Sequence, residues 1–192
     1  MKAAIYLATG FEEIEAVNIM DVLRRGRVDL EVVSVTGDLL VEGGHGIPLQ
    51  CDRLFEEKKE EACDLLILPG GMPGTLNLGE HQGLGDTLKE AHRQGKRLAA
   101  ICAAPSVLGG LGILQGKKAT CYPGYEGKME GAKATGLAYT KDGNIFTAKG
   151  AGVAMDFGFE LLTESLPVKD VEKLAKAMQS GWTFSLHKGG RN

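Results

Sequence analysis

The sequence predicts an α/β fold: a mainly parallel sheet covered by helices on both faces, with a small antiparallel hairpin added to it. Three observations carry this. Short continuous apolar runs recur at AAIYLA (3–8), LEVVSV (30–35), DLLILP (64–69) and RLAAIC (97–102), the pattern of strands buried on both faces. Amphipathic stretches of helical length lie between those runs, and alternation of strand and helix builds parallel sheets. In LAYTKDGNIFTA (137–148) two β-like runs flank Asp142-Gly143, a strong hairpin signal.

The helices follow from spacing and ends. In EEIEAVNIMDVLRR (12–25) Ile14, Val17 and Val22 recur at helical intervals, acids open the segment and arginines close it. That charge order suits the helix dipole, and Gly26 suits the C-terminal cap. A second helix is expected over 80–94, stopped by Gly95, a third over 152–164 and a fourth over 169–179. No repeat, low-complexity tract or linker breaks the chain. One domain over 1–182 and a polar tail over 183–192 are expected.

Composition narrows the class. The 192 residues carry a formal net charge of −3 with 24% charged and 43% apolar residues, so no basic footprint for nucleic acid or an anionic membrane exists. No apolar run approaches the ~18–20 residues of a membrane span. The N-terminus lacks the flanks of a signal peptide, so a cytoplasmic location is expected. Cys51, Cys63, Cys102 and Cys121 form no CxxC and no zinc-type cluster with His45, His81, His92 or His187. They read as free thiols, and no metal is expected.

Cys102 is the candidate reactive centre. RLAAIC ends a buried strand, and AAPSVLGGLGIL reads as a helix starting at once, with Pro105 in its first turn. A cysteine on that bend is held as in a nucleophile elbow, and a helix N-terminus behind it lowers a thiol pKa. AAICAA also reads as plain core, because free cysteine is among the most buried residue types. Position favours the site, since chemistry in open α/β sheets gathers at the carboxyl ends of strands.

Two further strand ends point there. Gly70-Gly71 follow DLLILP and offer bare backbone N–H groups for an oxyanion. Glu12, Glu13 and Glu15 follow YLATGF; helical spacing lets Glu15 point back across the strand ends while its two neighbours face solvent. Cys121 and Tyr122, in KKATCYPG, are possible pocket residues; Cys121 could line the pocket or resolve an oxidised Cys102, but packing is the favoured reading, since buried cysteine is common. Cys63 reads as packing, Cys51 as lying near a turn towards a dimer surface, His45 as an exposed loop residue, and Trp182 receives no role.

Taken in order, ATGFEEIEA, LPGGMPGTLNL, AAICAAPSVL and TAKGAGVAMDFGFELL resemble the DJ-1/ThiJ/PfpI superfamily, in its DJ-1-like branch, from Met1 to about Gln179. The resemblance implies a flavodoxin-like, class I glutamine amidotransferase-like sandwich, a homodimer, and no metal or organic cofactor. It makes Cys102 the easily oxidised elbow cysteine and Glu15 the protonated acid beside its sulfur. Gly70 and Gly71 become the oxyanion glycines, and Ala103 supplies the amide after the cysteine. Tyr122 stands where the DJ-1-like branch carries a histidine. The PfpI-like proteases place a histidine directly after the nucleophile, where this chain has Ala103, and the amidotransferases need a downstream His-x-Glu that is missing.

Two functions are implied. One is a glutathione-independent glyoxalase or deglycase, with Cys102 attacking a methylglyoxal-type 2-oxoaldehyde and Glu15 moving protons. The other is redox sensing or stress-response chaperone work through oxidation of Cys102 to sulfinate. A peptidase or amidotransferase is disfavoured for want of a histidine.

Overall fold

A computed structural model describes residues 1–57 and 63–184. Its centre is a seven-stranded sheet. The strands are β1 (Lys2–Leu7), β2 (Asp29–Ser34), β5 (Arg53–Leu54), β6 (Leu65–Leu68), β7 (Arg97–Ile101), β10 (Tyr139–Asp142) and β11 (Ile145–Ala148). They lie in the order β10-β11-β7-β6-β1-β2-β5. Every neighbouring pair is parallel except β10 with β11, which closes on Asp142↔Ile145 as the expected hairpin and forms the sheet's edge.

The run AAIYLA is apolar throughout because both sheet faces are covered. Ala3, Ile5 and Leu7 of β1 face α1 (Glu13–Arg25), α5 (Ala154–Leu162) and α6 (Val168–Ala177). Ala4, Tyr6 and Ala8 face α2 (Gly74–Glu80), α3 (Gln82–Arg93) and α4 (Pro105–Gly110). The period-2 alternation of side chains thus feeds two separate cores. At ~25 cal/mol per Å² of apolar surface, these two layers dominate the stability of the sandwich.

Four expectations need correction or refinement. Ile14 and Val17 do not belong to the core: α1 buries Glu15, Ala16, Ile19, Met20, Val22 and Leu23 and leaves those two exposed. Gly26 caps α1, but with φ of −76°, and the left-handed residue is Arg27 at 58°. Gly26 is required for space instead, since a Cβ there would run into Leu162 of α5. The helix expected over 80–94 begins at Gln82 and is preceded by α2. GTLNLGE, with two glycines, reads locally as loop, and only packing of Leu78 against the sheet makes it helical.

The fourth is Cys51, which is buried in the core rather than near a surface. The expected hairpin and the last two helices are present, and short strands complete the edges. β3 (Leu40–Glu42) pairs antiparallel with β4 (Pro48–Gln50), and β8 (Lys118–Ala119) pairs parallel with β9 (Lys133–Ala134). The expected polar tail lies outside the described residues beyond Phe184. No described helix is long and apolar enough to cross a membrane.

Candidate functional site

The strand order places β7, β6 and β1 side by side, so the segments leaving their carboxyl ends meet at one edge. Cys102 comes directly after β7 and is half-buried, with φ of 63°. A non-glycine residue in the left-handed region costs about 1–3 kcal/mol and persists where surroundings over-determine it. Here the elbow is tied at both backbone groups. Its N–H donates to Ala148 O at 2.9 Å, and its carbonyl accepts from Tyr122 N at 2.8 Å.

Glu15, fully buried on α1, reaches across to the end of β6, where Gly70 N–H donates to its Oε2 at 2.8 Å. Its other oxygen is buried and receives no hydrogen bond, and the Cys102 thiol acts on the carboxyl electrostatically from close by. Gly70 makes this approach possible. A Cβ there would fall 2.6 Å from Cys102 Cβ and 2.7 Å from Glu15 Oε2, inside any real contact. Gly71 has φ of 93°, and a Cβ on it would strike the backbone of residues 10–12. Its N–H and that of Ala103 both act on the Cys102 sulfur in favour of thiolate.

Burial pushes the Glu15 carboxyl up to about 7; the Gly70 N–H and the thiol pull it down, and Glu12 adds to the rise. Burial likewise pushes the Cys102 thiol up to about 12, with the Glu15 charge and hydrogen bond adding to it and the Ala103 and Gly71 amides opposing. The expected lowering by a helix dipole is therefore not found. Helix α4 starts three residues downstream at Pro105 and is one short piece. The sulfur meets two loop amides and an acidic neighbour instead. Two groups coupled in this way titrate as a pair, the carboxyl giving up its proton before the thiol.

The structure brings Cys102, Glu15, Gly70, Gly71, Ala103 and Tyr122 together. The Tyr122 ring is half exposed and lies beside Gly150, which also flanks the sulfur. Gly150 was not singled out by sequence reasoning; its signal was the bare glycine in TAKGAGV, at the end of the strand next to Cys102. Cys121 is buried on the opposite core, with burial and Glu126 raising its thiol to about 11, as a packing residue would be. Cys63 is likewise buried there. Trp182 packs on Phe159 and donates its Nε1–H to buried Glu160 at 3.0 Å.

Glu13 departs furthest from expectation. It is buried, not solvated, and accepts from His45 N at 2.7 Å, His45 Nδ1 at 2.9 Å and Ile47 N at 3.3 Å. Burial alone would raise it, but these bonds hold it down at about 2. His45 itself is exposed, as expected, and is drawn upwards by Glu13 and Glu12. Of the other histidines, His81 caps α3 by accepting from Leu84 N at 3.0 Å, and His92 lies in the last turn of that helix. His187 lies outside the described residues.

A strained, half-buried cysteine, a buried acid and converging backbone amides sit at the carboxyl edge of a parallel sheet sandwiched by helices. They define a flavodoxin-like protein with a thiol–carboxyl pair. The chain belongs to the DJ-1/PfpI family, which it matches over residues 1–164. It is 40% identical to Protein DJ-1 homolog B of Arabidopsis thaliana over 86% of this chain and 38% of that one. It is 33% identical to the Glutathione-independent glyoxalase DJR-1.2 of Caenorhabditis elegans, over 70% of this chain and 80% of that one. The fold superposes on a C103A mutant of a DJ-1 superfamily protein from Salmonella typhimurium with a TM-score of 0.90 and 30% identity, covering 94% and 99% of the two chains. The chain spans about two fifths of the length of the two Arabidopsis relatives it matches.

Proposed function

We propose that this protein is a cysteine-dependent enzyme that converts methylglyoxal-type 2-oxoaldehydes to 2-hydroxy acids without glutathione, with deglycase action on related adducts. The observation that carries the reading is a thiol whose ionisable neighbour is a buried carboxyl raised to about 7. The name of the C. elegans relative supports it.

The Cys102 thiol gives its proton to Glu15 as sulfur adds to the aldehyde carbon, and Glu15 passes that proton to the alkoxide, which leaves a hemithioacetal and a free carboxylate. Glu15 then removes the proton on that carbon and returns one to the neighbouring carbon through an enediol. This oxidises the first carbon to a thioester and reduces the second to an alcohol. Water hydrolyses the thioester, releasing the 2-hydroxy acid and restoring the thiol. Oxyanions formed on the sulfur-bound carbon fall to the Gly71 and Ala103 amides. A carboxyl near neutral pKa suits both directions of proton transfer.

Steady-state turnover of methylglyoxal tests this. Cys102→Ser is expected at background, and Glu15→Gln lower by about 10²–10⁴-fold in kcat/KM. Wild type at the Cys102→Ser background would sink the reading.

The same half-buried thiol beside a carboxyl raised to about 7 also supports a redox-sensing role, with the protonated form of Glu15 donating to a Cys102 sulfinate. An unmodified Cys102 by intact mass at peroxide doses that oxidise ordinary thiols would remove it. No described histidine acts on the sulfur, which disfavours peptidase and amidotransferase chemistry. We also propose a homodimer, supported by the exposed apolar side chains of Ile14 and Val17 on α1 and Leu40 and Ile47 at the adjoining hairpin.

A further inference from the structure

Away from the thiol, one titratable cluster fastens two parts of the fold together. Glu13 opens α1 and is buried, with 5% of its surface exposed. An ionised carboxylate in that position must be paired and hydrogen-bonded. The bonds it accepts from other residues come from the turn between β3 and β4. Oε1 takes His45 N–H at 2.7 Å and Ile47 N–H at 3.3 Å, and Oε2 faces His45 Nδ1 at 2.9 Å. The His45 side chain is 70% exposed, so its proton exchanges freely with solvent while the carboxylate it faces is shielded. The charged side chains acting on His45 are Glu13 and Glu12, the latter 3.6 Å from Nδ1. Among the described residues no lysine or arginine pairs with either acid.

The same turn braces the segment that supports the site. Phe11 and Gly43 form a β-bridge, Gly44 N–H donates to Phe11 O at 2.8 Å, and Gly10 N–H donates to Glu42 O at 2.9 Å. On the other side of the segment, Glu12 N–H donates to Gly70 O at 2.9 Å and Gly74 N–H to Gly10 O at 3.1 Å. Residues 10–12 thus lie between the turn and the loop that carries Gly70 and Gly71. What fastens the turn also steadies them.

We propose that this turn is a pH-released clasp: protonated His45 closes it on Glu13, and loss of that proton loosens the turn together with residues 10–12. Glu13, held at about 2, is ionised throughout the neutral range, so His45 is the member of the cluster that titrates there. Its bond to Glu13 and the two carboxylate charges raise it above the ordinary 6.5. Closure is therefore complete below pH 6.5 and fades as pH rises through the raised value. A charge-assisted hydrogen bond is roughly twice as strong as a neutral one, so the neutral ring holds the turn more weakly. The clasp is independent of the carbonyl-addition reading and needs no turnover to be seen.

Amide hydrogen exchange followed residue by residue by NMR from pH 5.5 to 8.5 tests it, expressed as protection factors, which divide out the intrinsic effect of pH. Glu15 also titrates in this range, at about 7, so the series is run in wild type, His45→Gln and Glu15→Gln. In wild type and Glu15→Gln, protection at His45, Ile47, Gly44 and Gly10 should fall about two- to fivefold as pH rises, the scale of a partly exposed ion pair. His45→Gln keeps a donor without the charge, so protection there should be low and level across the range. A wild type with no step at His45 and Ile47 would overturn the clasp, as would a step that survives in His45→Gln or vanishes in Glu15→Gln. A step confined to His45 and Ile47, absent at Gly44 and Gly10, would overturn its link to residues 10–12.

Discussion

Burial holds the Glu15 carboxyl up at about 7 against the pull of the Gly70 N–H, and this has a consequence for stability. In the unfolded chain the group titrates near 4.5, so the fold favours its protonated form. The associated stability is fully present below about pH 4.5 and is lost as pH rises through 7. Glu15→Gln removes the titration and retains an oxygen for Gly70 N–H. Its stability relative to wild type should therefore rise between pH 5 and pH 8, by on the order of 3 kcal/mol. Thermal melts across that range check it, and a difference independent of pH would contradict it. Cys102 and Glu15 were legible in sequence because each follows a buried strand. The direction of the thiol's shift was not: it depends first on tertiary burial and then on an acid 87 positions away in the chain, counted from residue 15 to residue 102.

Elements explain what local patterns missed. Glu13 reads as a solvated first-turn residue, yet the turn between β3 and β4 folds back and places His45 and Ile47 N–H groups on its carboxylate. Gly43 closes against that carboxylate so tightly that a side chain there would collide with it. The partners lie more than thirty residues from Glu13, beyond any window of periodicity. Helix α2 and the short edge strands escaped for the same reason, being formed by tertiary packing against weak local preference. The long apolar strands, the Asp142-Gly143 hairpin and α1 were readable because burial and turn chemistry there agree with local sequence. Gly70 and Gly71 were readable as bare backbone. Only the structure shows why, one being pressed between a thiol and a carboxyl and the other left-handed.

At the scale of the molecule, parallel strands deliver the ends of β1, β6 and β7 to one edge, and the site is assembled from residues 15, 70–71 and 102–103. The apolar residues of α1 that do not enter the core belong to this scale too. Ile14 and Val17 are 55% and 43% exposed, and their spacing of three puts them on one face of the helix. They border Glu13 and the turn it anchors, where Ile47 is also exposed. Light scattering should give twice the chain mass for wild type, and Val17→Asp should shift it towards the single chain. A wild type that remains monomeric at high micromolar concentration would contradict the dimer.

Burial raises both Glu15 and Cys102, and the rate of Cys102 alkylation by iodoacetamide as a function of pH reads the thiol's side of that pair without any substrate. The carboxyl loses its proton near 7 and the thiol near 12, so thiolate, the form that alkylates, forms only in the second step even though the Gly71 and Ala103 amides oppose the rise. The rate in wild type should stay low through neutral pH and rise only in strongly alkaline solution, and Glu15→Gln, which removes the neighbouring charge, should bring that rise to lower pH. A titration in the range of an ordinary thiol, unmoved by Glu15→Gln, would contradict the coupling.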